Sequence, residues 1–365
     1  QLCGDAHLSN FGVYNGPDRR LVFDLNDFDE TLPGPFEWDV KRLAASVVVA
    51  ARQNDVSDRK GELAARAAVA GYRRVINEIA GLDPLAVRYH RIEFEAMVAQ
   101  LDKKARERSE SAAAKARKRN SLRAFDRLTE TIDGTRRIVD DPPLLTRLDN
   151  HRQPAADAVE GFFGRYLASL PLAWSRVLER YRIVDVAHKV VGVGSVGTRC
   201  LIVLLATGDD EPLFLQFKEA TASVLEPYLG ASEFALSGER VVQGQRLMQS
   251  ASDVFLGWAQ FDSAAAGRTV DFYFRQLWDG KGSADVDAMG PKLLRMYAEV
   301  CGATLALAHG RTGDAAMIAG YLGDDDTFDH AIGAFATAYA DLNERDHEAH
   351  LAAIGDGRIE AIHDL

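Results

Sequence analysis

Residues 192–205 read GVGSVGTRCLIVLL, a glycine-rich hexapeptide followed by an apolar, partly β-branched run. The hexapeptide matches G-x-G-x-x-G, a pattern shared by dinucleotide-binding folds and by hairpins that cover nucleotide phosphates. A dinucleotide-binding fold requires a helix directly after the glycines, whereas residues 200–205 predict a strand that ends at the cluster 208–210 and returns as another strand. The stretch therefore predicts strand, turn and strand, with the turn contacting phosphates through Gly192, Gly194, Ser195 and Gly197.

Lys218 ends the next predicted strand, residues 213–217 (LFLQF). A lysine at a strand end is usually a solvated edge residue. Behind a glycine-rich hairpin, however, it is placed to pair with the α- and β-phosphates of ATP, as phosphoryl transfer requires. We therefore interpret Lys218 as a phosphate-binding residue.

Residues 4–10 (GDAHLSN) place a carboxylate and a carboxamide five residues apart on one tight loop. Asp5 is placed to accept or orient the proton of an acceptor hydroxyl, and Asn10 to bind Mg²⁺. Fourteen residues after Asn10, a short apolar run ends at Asp24, which we interpret as a metal-bridging carboxylate, with Asp27 as a further metal ligand. A lone D-x-x-x-x-N usually only caps a turn, so the interpretation depends on the acidic stretch that follows.

The same acidic stretch has a competing interpretation as a calcium loop. Counting from Asp24 puts Asp29 at the sixth position and Pro35 at the twelfth, where such a loop requires Gly and Glu. The calcium interpretation is therefore discarded.

The composition limits the class of protein. At 365 residues and 47% apolar content the chain can bury one large core or two lobes. A net charge of −11 argues against nucleic acid and anionic membranes as partners, and the longest strongly apolar stretch, residues 47–51, is far short of the roughly 20 residues of a membrane span. The three cysteines are too widely spaced for a disulfide framework or a metal knuckle. We expect buried thiols in a cytoplasmic protein, with the natural N-terminus upstream of Gln1.

Hydrophobic periodicity divides the chain into three parts. Residues 1–40 read as loop, short strand and loop, and residues 41–181 follow a helical period. From residue 183 to about 280, strands alternate with turns around one helix at 232–250. Helices are predicted again after Pro291.

Several motifs resemble those of known families. GDxHxxNF at residues 4–11, VFD at 22–24 and GPFEWDV at 34–40 are similar to the catalytic loop, metal-binding strand and following helix start of aminoglycoside phosphotransferases and choline kinases. Over most of its length the chain also resembles a bacterial family catalogued as domain of unknown function 2252, which is grouped with protein-kinase-like folds. The motifs that carry this second resemblance are GDAHLSNFG, FDLNDFDE, GPFEWDVKRLAAS, GVGSVGTR, FKEA, RVVQGQR and RQLWD. The resemblance implies a fold and a reaction class but no acceptor.

The resemblance also implies roles for single residues. Asp39 corresponds to the aspartate that braces the catalytic loop. By analogy with kinases, Lys218 needs a glutamate partner on the following helix, and Glu239 is chosen for this role over Glu233. Arg199 stands where kinases usually place a valine that covers the adenine.

Two further segments correspond to parts of the nucleotide-binding region. Residues 272–277 (FYFRQL) resemble the strand that becomes the hinge under the adenine, with backbone hydrogen bonds from Gln276 and Leu277. Residues 293–309 resemble the long helix that precedes the catalytic loop in ordinary kinases. Ala319 occupies the position of the metal-binding Asn there, so we interpret Asp314 as a helix-terminal residue.

The resulting expectation is an α+β, bilobal protein-kinase-like fold. Residues 1–182 are assigned to the catalytic loop and helical part of the large lobe, 183–280 to the nucleotide-binding small lobe, and 281–365 to the C-terminal part of the large lobe. Because the catalytic loop precedes the glycine-rich hairpin, this fold would be circularly permuted.

The expected activity is transfer of the γ-phosphoryl group of ATP, with Mg²⁺, to a hydroxyl of an unidentified small molecule or protein. AMP transfer and an ATP-binding pseudokinase remain alternatives within the same fold. A non-enzymatic interaction module is the alternative from another class, in which the acidic loop binds a stabilising metal and the basic stretch 103–123 docks a partner. The sequence does not determine the acceptor or the oligomeric state.

Overall fold

The computed structural model describes residues 1–99, 103, 106–107, 110–111, 113–114, 121–148, 154–190, 198–263, 267–277 and 280–361. The glycine turn, with Gly192, Gly194, Ser195 and Gly197, lies outside the described residues, so its assignment to phosphate binding stays a prediction. Most of the basic stretch 103–123 also lies outside them.

The structure is of mixed α+β type. Its strands with described bounds are β1 (Phe11–Asn15), β2 (Leu21–Leu25), β3 (Ile92–Glu93), β4 (Thr129–Ile132), β5 (Thr135–Ile138), β6 (Leu145–Arg147), β7 (Arg182–Lys189), β8 (Cys200–Ala206), β9 (Pro212–Ala220), β10 (Gly257–Ser263), β11 (Arg268–Gln276) and β12 (Gly282–Ser283). Its α-helices with described bounds are α1 (Glu37–Gln53), α2 (Asp58–Ile79), α3 (Pro84–Tyr89), α4 (Phe94–Ala99), α5 (Ser121–Leu128), α6 (Pro154–Ala168), α7 (Leu172–Leu178), α8 (Glu226–Leu229), α9 (Ser237–Met248), α10 (Pro291–Gly310), α11 (Ala315–Leu322) and α12 (Thr327–Gly355).

The chain forms two compact units, each assembled from three separate segments. The first unit consists of residues 1–5, 12–34 and 88–284, and the second of residues 6–11, 35–87 and 285–365. This division cuts across the range 1–182 that the sequence analysis assigned to one lobe. The reason is that residues 88–182 contribute strands and helices to the first unit.

The first unit is built on a six-stranded sheet with the order β10-β11-β9-β8-β7-β6, in which every neighbouring pair is antiparallel. Strands β7, β8 and β9 form a meander, and α9 lies in the chain between β9 and β10. The strands expected from Val-rich and Leu-rich runs are thus present. The expectation of helix throughout residues 41–181 is wrong, because β3 to β6 fall in that range.

The two faces of β9 have different surroundings. Phe217 enters one aromatic core, and Phe214 enters a second core on the opposite face. Because side chains alternate along a strand, Gln216 and Lys218 share the face of Phe214. Tyr273 of β11 lies directly opposite Lys218 in the register. This face of the sheet is therefore apolar at one end and polar at the other.

A second sheet of the first unit has the order β12-β1-β2-β3. Strand β2 is buried along its whole length and ends at Leu25, where the acidic stretch begins. An antiparallel bridge between Leu2 and Leu32 holds the far end of that stretch against the start of the chain. The sheet and this bridge together fix both ends of residues 26–31, which we call the acidic loop.

Helices α1, α2, α10, α11 and α12 make up most of the second unit. Helices α2 and α10 approach closely at two glycines. A Cβ atom on Gly71 would lie 2.4 Å from the Glu299 carbonyl oxygen, and one on Gly302 would lie 1.8 Å from the Ala68 carbonyl oxygen. The backbones therefore touch where only a hydrogen atom fits between them.

Gly302→Ala is expected to lower the free energy of unfolding by about 3 kcal/mol, because the added methyl group must separate two packed helices. Gly320→Ala is the matched control, since Gly320 is helical and a Cβ atom there would have no neighbour within 4 Å; this change should stabilise the helix by up to about 1 kcal/mol. Urea unfolding of both variants measures the difference. Equal effects would contradict the close helix contact.

None of the described helices is long and apolar enough to cross a bilayer. Cys3, Cys200 and Cys301 are buried free thiols, which confirms the expectation for the cysteines. Asp314 caps α11 by accepting a hydrogen bond from the Met317 N–H at 2.9 Å, which confirms its interpretation as a helix-terminal residue.

Candidate active site

Lys218, near the end of β9, faces the acidic loop. Its ammonium nitrogen lies 2.6 Å from Asp29 Oδ2 and 3.8 Å from Asp27 Oδ2. The centroid of the Tyr273 ring lies 5.6 Å from the same nitrogen. Only 8% of Lys218 is exposed. The side chain is therefore a buried cation held by two carboxylates, and the solvated-edge alternative for this lysine is wrong.

The surroundings favour the charged forms of both partners. Burial lowers the pKa of Lys218, but Tyr273, Asp27 and Asp29 raise it, and the net pKa lies above the ordinary value of 10.5. Burial raises the pKa of Asp27, but Lys218 and Arg275 lower it, and the net pKa lies below the ordinary 3.8. Because burial also raises the pKa of Tyr273, its phenol is neutral at pH 7, and the carboxylates supply the negative charge.

These directions fix the pH range in which the ion pair stabilises the fold. The contribution of Asp27 is present above its ordinary pKa and is lost as the pH falls through the lowered folded-state value. The contribution of Lys218 is present below its ordinary pKa and is lost only as the pH rises through the raised folded-state value. The pair is therefore intact across the whole neutral range.

Arg275 of β11 brings a second positive charge to the acidic loop. Its Nε donates to Gln216 Oε1 at 3.0 Å, and its Nη1 donates to the Asn26 carbonyl oxygen at 3.5 Å. Burial lowers the pKa of Arg275, but Tyr273, Asp27 and Asp29 raise it above the ordinary value. Lys218 and Arg275 thus both act electrostatically on Asp27 and Asp29.

Asp24 is engaged elsewhere in the first unit. Its Oδ2 accepts hydrogen bonds from the Ser250 N–H and hydroxyl, both at 2.9 Å, and its Oδ1 accepts one from the Leu25 N–H at 3.0 Å. Only 1% of the residue is exposed. The sequence predicted Asp24 as the metal-bridging carboxylate, whereas the ion pairs of Lys218 are formed with Asp27 and Asp29. The physical reason is that Asp24 still belongs to β2, whereas the loop turns the later carboxylates toward β9.

Asp5 follows a glycine that packs against the acidic loop. Gly4 has a φ of +89°, and a Cβ atom there would lie 2.3 Å from the Glu30 carbonyl oxygen. Only glycine accommodates both conditions without strain. The Leu2 N–H also donates to the Leu32 carbonyl oxygen at 2.9 Å. The backbone next to Asp5 is thereby fixed beside the loop that contacts Lys218.

Asn10 belongs to the second unit, whereas Asp5 and Asp24 belong to the first. It ends a 3₁₀ turn in which the His7 side chain accepts from the Ser9 N–H and the Leu8 N–H donates to the Ser46 hydroxyl at 2.9 Å. Only 3% of Asn10 is exposed. His7 therefore caps the turn, in keeping with its structural interpretation, and metal binding by Asn10 stays a prediction.

Asp39 takes part in a buried network of the second unit. Its Oδ2 lies 3.2 Å from His309 Nε2, and His309 Nδ1 lies 2.9 Å from the Tyr72 hydroxyl. All three side chains are almost fully buried. Burial, with Asp39 and Glu37, raises the pKa of Tyr72 well above its ordinary value, so the phenol stays protonated. The network ties the start of α1 to the end of α10.

The residues predicted to contact the adenine base have partners within the first unit. Arg199 Nη1 lies 3.1 Å from Glu219 Oε2. The Gln276 N–H donates to Asp253, and the Leu277 N–H donates to the Phe214 carbonyl oxygen at 3.0 Å. Adenine recognition by these two N–H groups stays a prediction, and it would require both hydrogen bonds to exchange.

Glu239 lies in the first turn of α9 and is partly buried. The sequence predicted Glu239 as the partner of Lys218, but that lysine forms its ion pairs with Asp27 and Asp29. The neighbouring Arg240 reaches the acidic loop instead: its Nη2 donates to the Asp29 carbonyl oxygen at 2.8 Å. Helix α9 therefore contacts the site through Arg240 and not through Glu239.

One atom of the acidic loop suits a metal ion. Asp29 Oδ1 is buried and lacks a hydrogen-bond partner in the described structure, although buried carboxylate oxygens are normally satisfied. The described residues contain no cluster of three or more His, Cys, Asp or Glu side chains that could hold a metal by themselves. Mg²⁺ is commonly bound by one or two carboxylates together with substrate phosphates. Asp27 and Asp29 fit that kind of site.

A family model described as "Uncharacterized protein conserved in bacteria (DUF2252)" matches residues 1–353. The chain therefore belongs to this family. No curated protein and no solved structure matches the chain.

Sequence reasoning missed four residues that shape the candidate site. Asp29 was discarded as a calcium-loop position and ranked below Asp24 for Mg²⁺ binding. Tyr273 and Arg275 were assigned only to the predicted hinge strand under the adenine, and Ser250 was not assigned a role. The alternation of β11 was the available signal, because Tyr273 and Arg275 lie on one face at positions two apart. No local pattern indicated that Ser250 would bind Asp24.

We expect Asp29→Ala to lower the affinity for Mg²⁺ in the presence of ATP more than Asp24→Ala does. Changes next to metal ligands already cost about 10- to 100-fold in affinity, so loss of a ligand should cost at least as much. Asp24→Ala should instead lower the free energy of unfolding by about 1–3 kcal/mol, because the Ser250 donors lose their acceptor. Calorimetric titration and urea unfolding separate the two effects.

Asp209→Ala, in the exposed turn between β8 and β9, is the control and should change neither quantity. The expected order reverses the one suggested by spacing from Asn10. A greater affinity loss in Asp24→Ala would restore Asp24 as the bridging carboxylate.

Proposed function

We propose that this chain is an ATP- and Mg²⁺-dependent phosphotransferase that moves the γ-phosphoryl group of ATP to a hydroxyl of an acceptor molecule. The observation that carries the proposal is the contact of the buried Lys218 ammonium group with Asp27 and Asp29, together with the unpartnered Asp29 Oδ1. A phosphate-binding lysine next to metal-binding carboxylates is what phosphoryl transfer requires.

The order of elements in the first unit supports the same proposal. An antiparallel meander of three strands places the lysine on its third strand, and helices α8 and α9 follow before two further strands. A lysine on the third strand, with a helix following in the chain, is the order found in protein kinases. The acidic loop comes earlier in the chain than this sheet, so we further propose that the kinase-like order is circularly permuted.

Each side chain of the site would have a separate role in the reaction. Lys218 would bind the α- and β-phosphates, and Asp27 and Asp29 would hold Mg²⁺, whose charge when bound counters that of the phosphates. Asp5 would orient the acceptor hydroxyl and take its proton. The acceptor oxygen forms a bond to the γ-phosphorus, the bond from that phosphorus to the bridging oxygen breaks, and ADP leaves with the electron pair.

Two measurements test the proposal on the full chain. A saturating concentration of Mg²⁺-ATP, about 100 times the dissociation constant, should add about 2.7 kcal/mol to the stability and raise the melting temperature. ³¹P NMR of Mg²⁺-ATP with the protein and a metabolite extract should show ADP and a new phosphoester. The same samples with EDTA are the control and should show neither change.

The other outcomes identify the alternatives. Release of pyrophosphate and an AMP-bearing product would replace phosphoryl transfer by AMP transfer. A raised melting temperature without consumption of ATP would indicate a pseudokinase. An unchanged melting temperature with Mg²⁺-ATP would overturn the proposal in favour of a non-enzymatic module.

A further inference from the structure

Arg240 of α9 is the largest of the fully buried side chains in the described structure, with 1% exposure. Its Nη1 donates to the Thr31 carbonyl oxygen at 2.7 Å. Its Nη2 donates to the carbonyl oxygens of Asp29 and Thr221, both at 2.8 Å. One guanidinium group thus connects the helix, both residues 29 and 31 of the acidic loop, and the segment that follows β9.

Burying this guanidinium group lowers the stability of the fold. The three acceptors are neutral carbonyl groups, and the Arg240 Nε is buried without a hydrogen-bond partner. Burial lowers the pKa of Arg240, although Glu30, Glu226 and Asp29 oppose the shift. A buried cation without a bonded carboxylate is unfavourable compared with an apolar side chain of similar size. Stability alone therefore does not account for an arginine at this position.

A second residue of α9 contacts the same loop. A Cβ atom on Gly244 would lie 2.3 Å from Thr31 Cγ2 and 2.4 Å from Thr31 Oγ1. Positions 240 and 244 lie on the same face of a helix, one turn apart. The Thr31 side chain is thus packed against the helix backbone while its carbonyl oxygen is bound by Arg240.

Thr31 also contacts the start of the chain. Its hydroxyl donates to the Leu2 carbonyl oxygen at 2.6 Å, and Leu2 lies three residues before Asp5. Arg240 therefore acts on Asp29 through one hydrogen bond and on the segment before Asp5 through Thr31. Both connections lie within the first unit.

We propose that Arg240 is the positioning residue of the site, which holds the Asp29 and Asp5 segments at a fixed place relative to Lys218. This inference rests on the proposed phosphotransferase function and places the link between α9 and the site at Arg240, where the sequence predicted an ion pair between Glu239 and Lys218. Successive residues of a helix point about 100° apart, so Glu239 and Arg240 project in different directions. Helix α9 therefore binds the backbone carbonyl groups of the acidic loop through Arg240, and forms no ion pair with Lys218 in the described structure.

Arg240→Lys and Gly244→Ala test the proposal by independent changes. A lysine offers one ammonium group in place of the planar fork that reaches three carbonyl oxygens, and an alanine methyl group displaces Thr31. We expect each variant to lose about 10- to 100-fold in Mg²⁺ affinity, measured by calorimetric titration of Mg²⁺ into the ATP-saturated protein. In assays of ATP turnover, kcat should fall while the KM for ATP changes little.

Arg246→Lys is the matched control. Arg246 lies on the same helix and also donates to a backbone carbonyl, that of Leu256 at 2.7 Å, but this acceptor is outside the acidic loop. Its Mg²⁺ affinity should stay within about twofold of wild type even if its melting temperature falls. If Arg240→Lys does not fold, the Mg²⁺ affinity of Gly244→Ala still tests the proposal.

The outcomes distinguish this inference from the proposed function. Wild-type protein that binds no Mg²⁺-ATP overturns both. If the wild-type protein binds Mg²⁺-ATP but the folded Arg240→Lys and Gly244→Ala variants keep its Mg²⁺ affinity, only the positioning role is overturned. The same conclusion holds if Arg246→Lys loses as much Mg²⁺ affinity as they do. Loss in the two test variants but not in the control supports it.

Discussion

Asp5→Asn is expected to lower the turnover of Mg²⁺-ATP by about 10²-fold or more, with little change in nucleotide binding. General acid–base assistance of this kind contributes about 10²–10⁴ to a rate. The substitution keeps the size of the side chain and removes only its ability to take a proton. The phosphate-binding and metal-binding residues are untouched, so the loss should appear in kcat.

Asp209→Asn is the matched control for this experiment, because it makes the same chemical change in an exposed turn of the first unit. Its turnover should equal that of wild type. Unchanged turnover in Asp5→Asn would move catalysis elsewhere. Asp314, which follows the helix that resembles the one before a kinase catalytic loop, does not suit this role, because its carboxylate caps α11.

Lys218→Met is expected to lower turnover by about 10²–10³-fold and to weaken Mg²⁺-ATP binding. Removing one preorganised group that stabilises developing charge has a cost of this size. The substitution also removes the main positive partner of Asp29, which lies 2.6 Å from the ammonium nitrogen. The pKa of Asp27 should rise in this variant, because Lys218 is the strongest of the groups that lower it.

Calorimetry with Mg²⁺-ATP and a turnover assay measure the first two effects, and the carboxyl chemical shifts of Asp27 across an acid titration measure the third. Lys60→Met, at an exposed position of α2, is the control and should leave all three at their wild-type values. Wild-type turnover in Lys218→Met would remove the central support for the phosphotransferase proposal, since Lys218 could then be only a structural partner of the acidic loop.

Local patterns predicted much of the sheet in the first unit. Strands β7, β8, β9 and β11 lie where apolar runs and turns placed them, because these signals are short in range. The hairpin of β4 and β5 was missed although a signal exists: Asp133 and Gly134 both have positive φ angles and form a two-residue turn. An Asp-Gly pair between short strands is a strong hairpin indication, but it was outweighed by the helical period around it.

The partners of Lys218 could not be read from the sequence. Three aspartates lie within six residues of each other, and which of them faces a lysine almost two hundred residues later depends on how the chain leaves β2. The strand period holds only as far as Leu25, and beyond it the loop sets the side-chain directions. Arg240 begins the motif RVVQGQR, but its burial against the acidic loop could not be read from it, because an arginine on an amphipathic helix is usually solvated.

The raised pKa of Lys218 bears on chemical footprinting of this protein. Reagents that acylate amines require the neutral, nucleophilic form. The raised pKa of Lys218, to which Tyr273, Asp27 and Asp29 contribute, keeps that form scarce at neutral pH. Such reagents should modify the exposed Lys60 well before Lys218, even in protein without nucleotide. A slowly labelled Lys218 would therefore report its burial and ion pairing, and only an additional change on adding Mg²⁺-ATP would report an occupied site.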